Sequence, residues 1–279
     1  MVVTIIGVGL IGGSLAIALK EKGLAKRVIG VDSNKAHAAK ALELGLVEEM
    51  LPLEEAVKLS DLIVISVPVD AVERLLPGLL DLVDKQVVMD VGSIKGEIME
   101  VIKDHPKKGR FVPTHPMWGT EYSGPEAAVR GAFEGKATVI CDKEACDPDA
   151  LKLVEDLYRD LGMKLVYMDA YEHDVHVAYV SHISHITSFA LANTVLEKEK
   201  EEDAIFSLAS GGFESTVRLA KSNSNMWIPI FMQNRENVLD VLNEHISQLR
   251  KFKACLEKEN YEYLRELIEH ANNIKKIIK

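Results

Sequence analysis

The pattern of apolar and polar positions changes character near residue 170. Before that point, short runs of Val, Ile and Leu alternate with stretches whose apolar positions recur every three or four residues. The runs predict strands at Val2–Ile6, Arg27–Asp32, Asp61–Val67, Gln86–Val91, Ala137–Cys141 and Lys164–Tyr167. They are nearly continuous rather than alternating, as expected for strands covered on both faces. Strands that alternate with helical patterns predict βαβ units and a parallel sheet. One helix carries its own boundary signals: Asp147 as N-cap, Pro148 at the first helical position and a stop at Gly162. Pro113 and Pro116 mark an irregular segment, Thr114–Gly124, inside this α/β half.

Beyond about Tyr171 no strand candidate remains. Val175–Leu196 reads as one long helix, apolar enough to be buried. Residues 204–233 read as helical, with breaks around Gly211-Gly212 and Ser222–Asn225. Apolar residues then recur at Val238, Leu242, Ile246, Leu249, Phe252 and Leu256, and at Leu264, Ile268, Ala271 and Ile274, which gives helical stripes. The expected fold is therefore α/β, a Rossmann-type doubly wound sheet, followed by an all-α domain. The division falls at 1–170 and 171–279. A helical domain this apolar is expected to cover part of itself with a second copy, giving a homodimer.

Composition narrows the partners. The 279 residues are 47% hydrophobic and 27% charged, ordinary for a globular protein. Net charge is −10 with no basic block, which argues against nucleic acid and anionic membrane. Cys141, Cys146 and Cys255 lack metal-ligand spacing and are too few for a disulfide framework, so they fit a reducing compartment. The first strand starts next to Met1 and no apolar run is long enough to span a bilayer, so a cytoplasmic location is expected.

The first strand runs into Gly7-Val8-Gly9-Leu10-Ile11-Gly12, a G-x-G-x-x-G turn that opens a helix. Its glycines suit a tight turn, close approach of backbone to a pyrophosphate and close helix–strand packing. The helix N-terminus beyond offers free N–H groups to phosphate. Asp32 ends the second strand twenty positions after Gly12, where a carboxylate can bond a ribose 2′-OH. Ser33 and Asn34 follow it, and neither is an arginine able to hold a 2′-phosphate. The cofactor expected is NAD, in contact with Gly7, Gly9, Leu10, Ile11, Gly12, Asp32 and Ser33. Ser66 and Pro68, at the end of the strand that begins at Asp61, would also line it.

Ligands of open α/β sheets sit outside the carboxyl ends of the strands. Ser93 and His115 fall there. A histidine held between prolines titrates near neutrality and suits general acid–base work; Ser93 would hydrogen-bond its ring. The plainer alternative makes His115 a loop histidine and Ser93 a helix cap. His182 and His185 share one helix face, but no third ligand accompanies them, so no metal is expected. Arg218 supplies a fork able to clamp a carboxylate with two parallel bonds, or is a plain surface arginine.

Taken together, these stretches resemble the prephenate/arogenate dehydrogenase family of tyrosine biosynthesis. The similarity is carried by Gly7–Ser14, Asp90–Lys95, His115–Gly124, Ser181–Leu191 and Gly211–Trp227, in the same order as in the family. The resemblance implies NAD-dependent oxidative decarboxylation of prephenate to 4-hydroxyphenylpyruvate, or of arogenate to tyrosine. It implies an active site between the two domains and a helical dimerisation domain. By that analogy His115 takes the ring-hydroxyl proton, Ser93 orients it, and Arg218 binds the carboxylate that leaves as carbon dioxide. Glu121, His185, Gly211 and Trp227 would shape the substrate site. One stretch departs from the family: where it has Arg-Asp-x-Thr-Arg, this chain has Glu214-Ser215-Thr216-Val217-Arg218. Two other classes fit the N-terminal half. A β-hydroxyacid dehydrogenase would place a lysine on the first long helix of the second domain, where this chain has histidines and no lysine before Lys198. A non-catalytic NAD sensor would not need His115, Ser93 and Arg218 together.

Overall fold

The computed structural model describes residues 1–199 and 208–277. Six strands pair in parallel in the order β3-β2-β1-β4-β5-β6. They are β1 (Val2–Ile6), β2 (Arg27–Val31), β3 (Glu49–Met50), β4 (Leu62–Ile65), β5 (Val87–Asp90) and β6 (Phe111–Val112). Helices α1 (Leu10–Glu21), α2 (Lys35–Glu43), α3 (Leu53–Leu59), α4 (Val69–Leu82) and α5 (Gly96–Val101) connect them. The sheet is of the doubly wound Rossmann type, and its direction of winding reverses between β1 and β4, where such folds open a crevice. Every residue of β4 and β5 is buried. Their side chains alternate between two cores: Leu62, Val64 and Met89 join Ile5 and Leu15, whereas Ile63, Ile65 and Val88 join Leu76 and Leu79.

A second sheet carries β7 (Thr114–Pro116), β8 (Ala137–Cys141) and β9 (Lys164–Met168). Here the expectation of an irregular Thr114–Gly124 is corrected at its start. Thr114, His115 and Pro116 pair antiparallel with Ile140, Val139 and Thr138. Pro116 cannot donate to a ladder, but β7 is an edge strand, where proline is tolerated. Helix α6 (Pro148–Asp160) packs Ala150, Val154, Leu157 and Tyr158 into the first core.

Next come α7 (Ala170–Val177), a π turn (Ala178–His182) and α8 (Ile183–Glu199). The single buried helix expected over Val175–Leu196 is therefore corrected in two ways. The π turn shifts the helical phase within it, and Val180 and Leu196 are exposed. Apolarity alone does not tell which face a single chain leaves uncovered. Helix α9 (Gly211–Val217), a 3-10 turn (Arg218–Lys221) and α10 (Ser224–Gln233) follow. The helical reading of 204–207 lies outside the described residues.

By compactness the chain divides into Met1–Asn234 and Arg235–Lys279. The change of pattern at 170 falls inside the first unit, because the segment after it is tied back. Trp227 and Ile230 pack with Val69 and Ile94, and Gln233 Nε2 donates to Glu73 at 2.7 Å. The second unit holds α11 (Arg235–Glu257) and α12 (Tyr261–Ala271). Cys141 and Cys255 are buried and Cys146 is half-buried, all as free thiols. Among the described residues no helix is long and apolar enough to cross a membrane.

Candidate active site

The glycine turn is built as a dinucleotide cradle requires. Gly7 has φ +91°, and a Cβ there would lie 2.6 Å from the Ser66 carbonyl oxygen. A Cβ on Gly12 would overlap the Gly7 carbonyl and press on Ile5. Gly9, by contrast, faces open space, with nothing within 4 Å of an added Cβ. It stands at the N-terminus of α1, which carries no side-chain cap, so the first-turn N–H groups remain available to a phosphate. Asp32 follows β2 and closes the turn from the side. Its carboxylate accepts from Val8 N at 3.1 Å and Asn34 N at 2.8 Å. Ser66 Oγ donates to the Gly7 carbonyl at 2.7 Å. The residues fit NAD: an open glycine, free helix N–H groups and an acidic side chain at the end of β2. Ser33 is exposed beside them.

A cleft of about 660 Å³ opens from this turn. Its cofactor end is lined by Gly9, Leu10, Ile11, Ser66 and Pro68. Its far end is lined by Ser93, His115, Glu121, His185, Arg218 and Trp227. Residues spread over 219 positions of chain thus share one cavity. Among the described residues, two cationic side chains, Lys136 and Arg218, and one carboxylate, Glu121, line the cleft. Lys136 had no motif to single it out. Gly211 does not line the cleft; it is exposed at the start of α9.

His115 is half-buried, and its ring partner differs from expectation. Among the described residues no hydrogen bond joins it to Ser93, although both line the cleft. Its Nδ1 instead lies 2.9 Å from Nε2 of His173, whose Nδ1 lies 2.7 Å from Asp174 Oδ1. Strand β7 fixes the His115 backbone, and α7 brings His173 behind it. Burial pushes the His115 pKa well below its usual value, and nearby His173, Lys95 and His182 add to the effect. The imidazole is therefore held neutral, with a lone pair to offer.

Beneath Ser93, Asp90 at the end of β5 pairs with the Lys95 ammonium, and neither side chain is exposed. Asp90 also accepts from Gly92 N at 2.9 Å and Thr114 N at 3.1 Å. One buried ion pair thus fixes the Ser93 loop and the start of β7 together. The pair closes the Asp90–Lys95 stretch that resembles the family, but the stretch alone does not show that its two ends meet.

Arg218, half-exposed, bonds Glu121 Oε2 at 2.7 Å. His185 stacks on Trp227 with centroids 3.4 Å apart, and burial lowers its pKa. His182 is buried and bonded through Nδ1 to Asn234 at 3.2 Å; burial lowers its pKa to about 4. Among the described residues no group of three His, Cys, Asp or Glu side chains is arranged to hold a metal ion.

The comparisons with known proteins cover the whole cradle and cleft. The sequence model of the prephenate dehydrogenase nucleotide-binding domain matches residues 15–167, and that of the prephenate dehydrogenase dimerization domain matches 169–270. The chain belongs to the prephenate dehydrogenase family. Within that family it is 29% identical to the prephenate dehydrogenase of Bacillus subtilis over 92% of this chain and 71% of the relative. It is 27% identical to the cyclohexadienyl dehydrogenase of Zymomonas mobilis over 99% and 96%. Among solved structures, prephenate dehydrogenase from Aquifex aeolicus in complex with hydroxyphenyl propionate and NAD+ superposes with a TM-score of 0.91 at 31% identity, covering 100% of this chain and 98% of that one. Arogenate dehydrogenase from Synechocystis gives 0.79 at 26% identity, with both chains covered in full.

Proposed function

We propose that this member of the family is an NAD-dependent prephenate dehydrogenase, oxidising and decarboxylating prephenate to 4-hydroxyphenylpyruvate. The observation that carries the reading is the shared cleft: a neutral imidazole, His115, and a guanidinium, Arg218, line one cavity that opens on the glycine turn. Gly7, Gly9, Leu10, Ile11, Gly12, Asp32, Ser33, Ser66 and Pro68 hold NAD, whose nicotinamide supplies the hydride acceptor.

The chain's own residues do the rest. His115 accepts the proton of the substrate's ring hydroxyl, so that the carbinol carbon can become a carbonyl carbon. Ser93, in the same cleft, holds the hydroxyl oxygen. Arg218 binds the ring carboxylate until it leaves as carbon dioxide. The electron pair of that broken carbon–carbon bond enters the ring, and aromatisation drives the step. Glu121, His185 and Trp227 shape the remaining wall, and Gly211, outside the cleft lining, is given no part in it. We read 1–170 as the NAD-binding domain and 171–279 as the substrate and dimerisation domain of a cytoplasmic homodimer. The two family models meet between residues 167 and 169, in support of that division.

The deciding experiment is NADH formation with prephenate and with arogenate under identical conditions. A kcat/KM for prephenate above that for arogenate is expected. The reverse ratio would make the chain an arogenate dehydrogenase, a reading favoured by the likeness to the Synechocystis structure. Turnover of neither would overturn both.

A further inference from the structure

Behind the cleft, His115 is the first member of a three-residue chain that the reaction scheme does not use. His173 is 0% and Asp174 5% exposed, and they run from His115 Nδ1 to a fixed carboxylate. That carboxylate is held at both oxygens. Lys95 N donates to Oδ1 at 2.9 Å and Gly96 N to Oδ2 at 2.8 Å. The Asp174 backbone carbonyl accepts from Asn234 Nδ2 at 2.7 Å. His173 and Asp174 are thus held by burial and by bonds at both ends, behind a His115 ring that faces the cleft.

Protonation follows from the far end. A carboxylate only accepts, so the hydrogen between Asp174 and His173 sits on His173 Nδ1. A neutral His173 then presents a lone pair at Nε2. The hydrogen between the two rings must therefore sit on His115 Nδ1, which leaves His115 Nε2 as a bare acceptor on the side away from His173. We propose that His173 and Asp174 are positioning residues that lock His115 in its Nδ1–H tautomer and aim Nε2 at the substrate hydroxyl. When His115 takes the proton, its Nδ1–H bond to His173 persists, and the Asp174 carboxylate offsets the new charge through the intervening ring. The arrangement has the logic of a carboxylate orienting a catalytic histidine, with a second imidazole inserted. Its kinetic half rests on the proposed function; its tautomeric half does not.

The test is nitrogen-15 NMR of histidine-labelled full-length protein without ligands, with His115 assigned by the signal lost in His115→Asn. The expected wild-type spectrum shows His115 protonated at Nδ1. Asp174→Asn and His173→Gln are each expected to mix or reverse that tautomer. Both should lower kcat by about 10²-fold or more, as loss of an orienting carboxylate does elsewhere. KM and the NAD dissociation constant should stay within about two-fold, because neither residue lines the cleft. A wild-type His115 protonated at Nε2, as a doubly protonated His173 would impose, overturns the proposal whatever the variants do. So do variants with unchanged tautomer and kcat. If the wild type turns over neither substrate, the functional reading falls while the spectrum still decides the relay. If Asp174→Asn does not fold, the wild-type spectrum and His173→Gln decide it.

Discussion

His115 sits half-buried at the edge of a sheet, with imidazoles and an ammonium near it that make a second positive charge unwelcome. It should therefore act as a base across the neutral range. The acidic limb of a kcat/KM profile assigned to His115 is expected below pH 6.5, the usual histidine value; an apparent pKa at or above that value would contradict the assignment. Replacing it, His115→Asn, is expected to lower kcat by about 10²–10⁴-fold with NAD binding retained in a fluorescence titration. Arg218→Ala should chiefly raise KM. A loss of about 2 kcal/mol in kcat/KM is expected, at the low end for a charge pair, because the guanidinium is half-exposed. Both residues were legible in the sequence: one stands between prolines at a strand end and the other is an arginine in a segment that resembles a family motif. The partner of His115 was not. Ser93 was the polar residue the topology brings nearest, whereas His173 and Asp174 lie in a stretch with no motif. Only the packing of α7 behind β7 gives them a role.

Elements show the same division between what periodicity carries and what it cannot. The strands β1 and β8 appear where their apolar runs predict them, with the same boundaries. Strands β3 and β6 have two residues each and β7 has three, too short to display any period. They exist because neighbouring strands offer unpaired backbone groups. The π turn between α7 and α8 is likewise invisible to a search for a 3.6-residue repeat. At this scale the buried Asp90–Lys95 pair is the feature to test. It joins the end of β5 to the start of α5, and its loss would strand a carboxylate in a dry site. Lys95→Met is expected to cost about 3–5 kcal/mol, read as a fall in the denaturant midpoint. A midpoint unchanged from wild type would show that the pair has no structural weight.

For the molecule as a whole, two predictions follow from surfaces and charges. Helices α11 and α12 expose Leu249, Leu256 and Ile268, and the helical region matches a dimerization-domain model. Sedimentation should give twice the 30.9 kDa chain mass; a monomer at micromolar concentration would remove the homodimer. The acid response comes from His115, His182 and His185, whose pKa values are all lowered in the folded chain. An unfolded chain takes up protons at these positions near pH 6.5 before the folded one does. Their contribution is therefore fully present above pH 6.5 and is lost as pH falls toward about 4, the value for His182. The melting temperature should begin to drop below pH 6.5, before paired carboxylates near pH 4 contribute. A flat melting temperature between pH 6.5 and 5 would contradict this. The buried thiols offer a way to watch such openings. Cys141 lies in the first compact unit and Cys255 in the second, each shielded from solvent. An alkylating reagent reaches either sulfur only when the structure around it opens, so mass spectrometry of the two labelled peptides over time would follow the two sites separately, with no residue replaced.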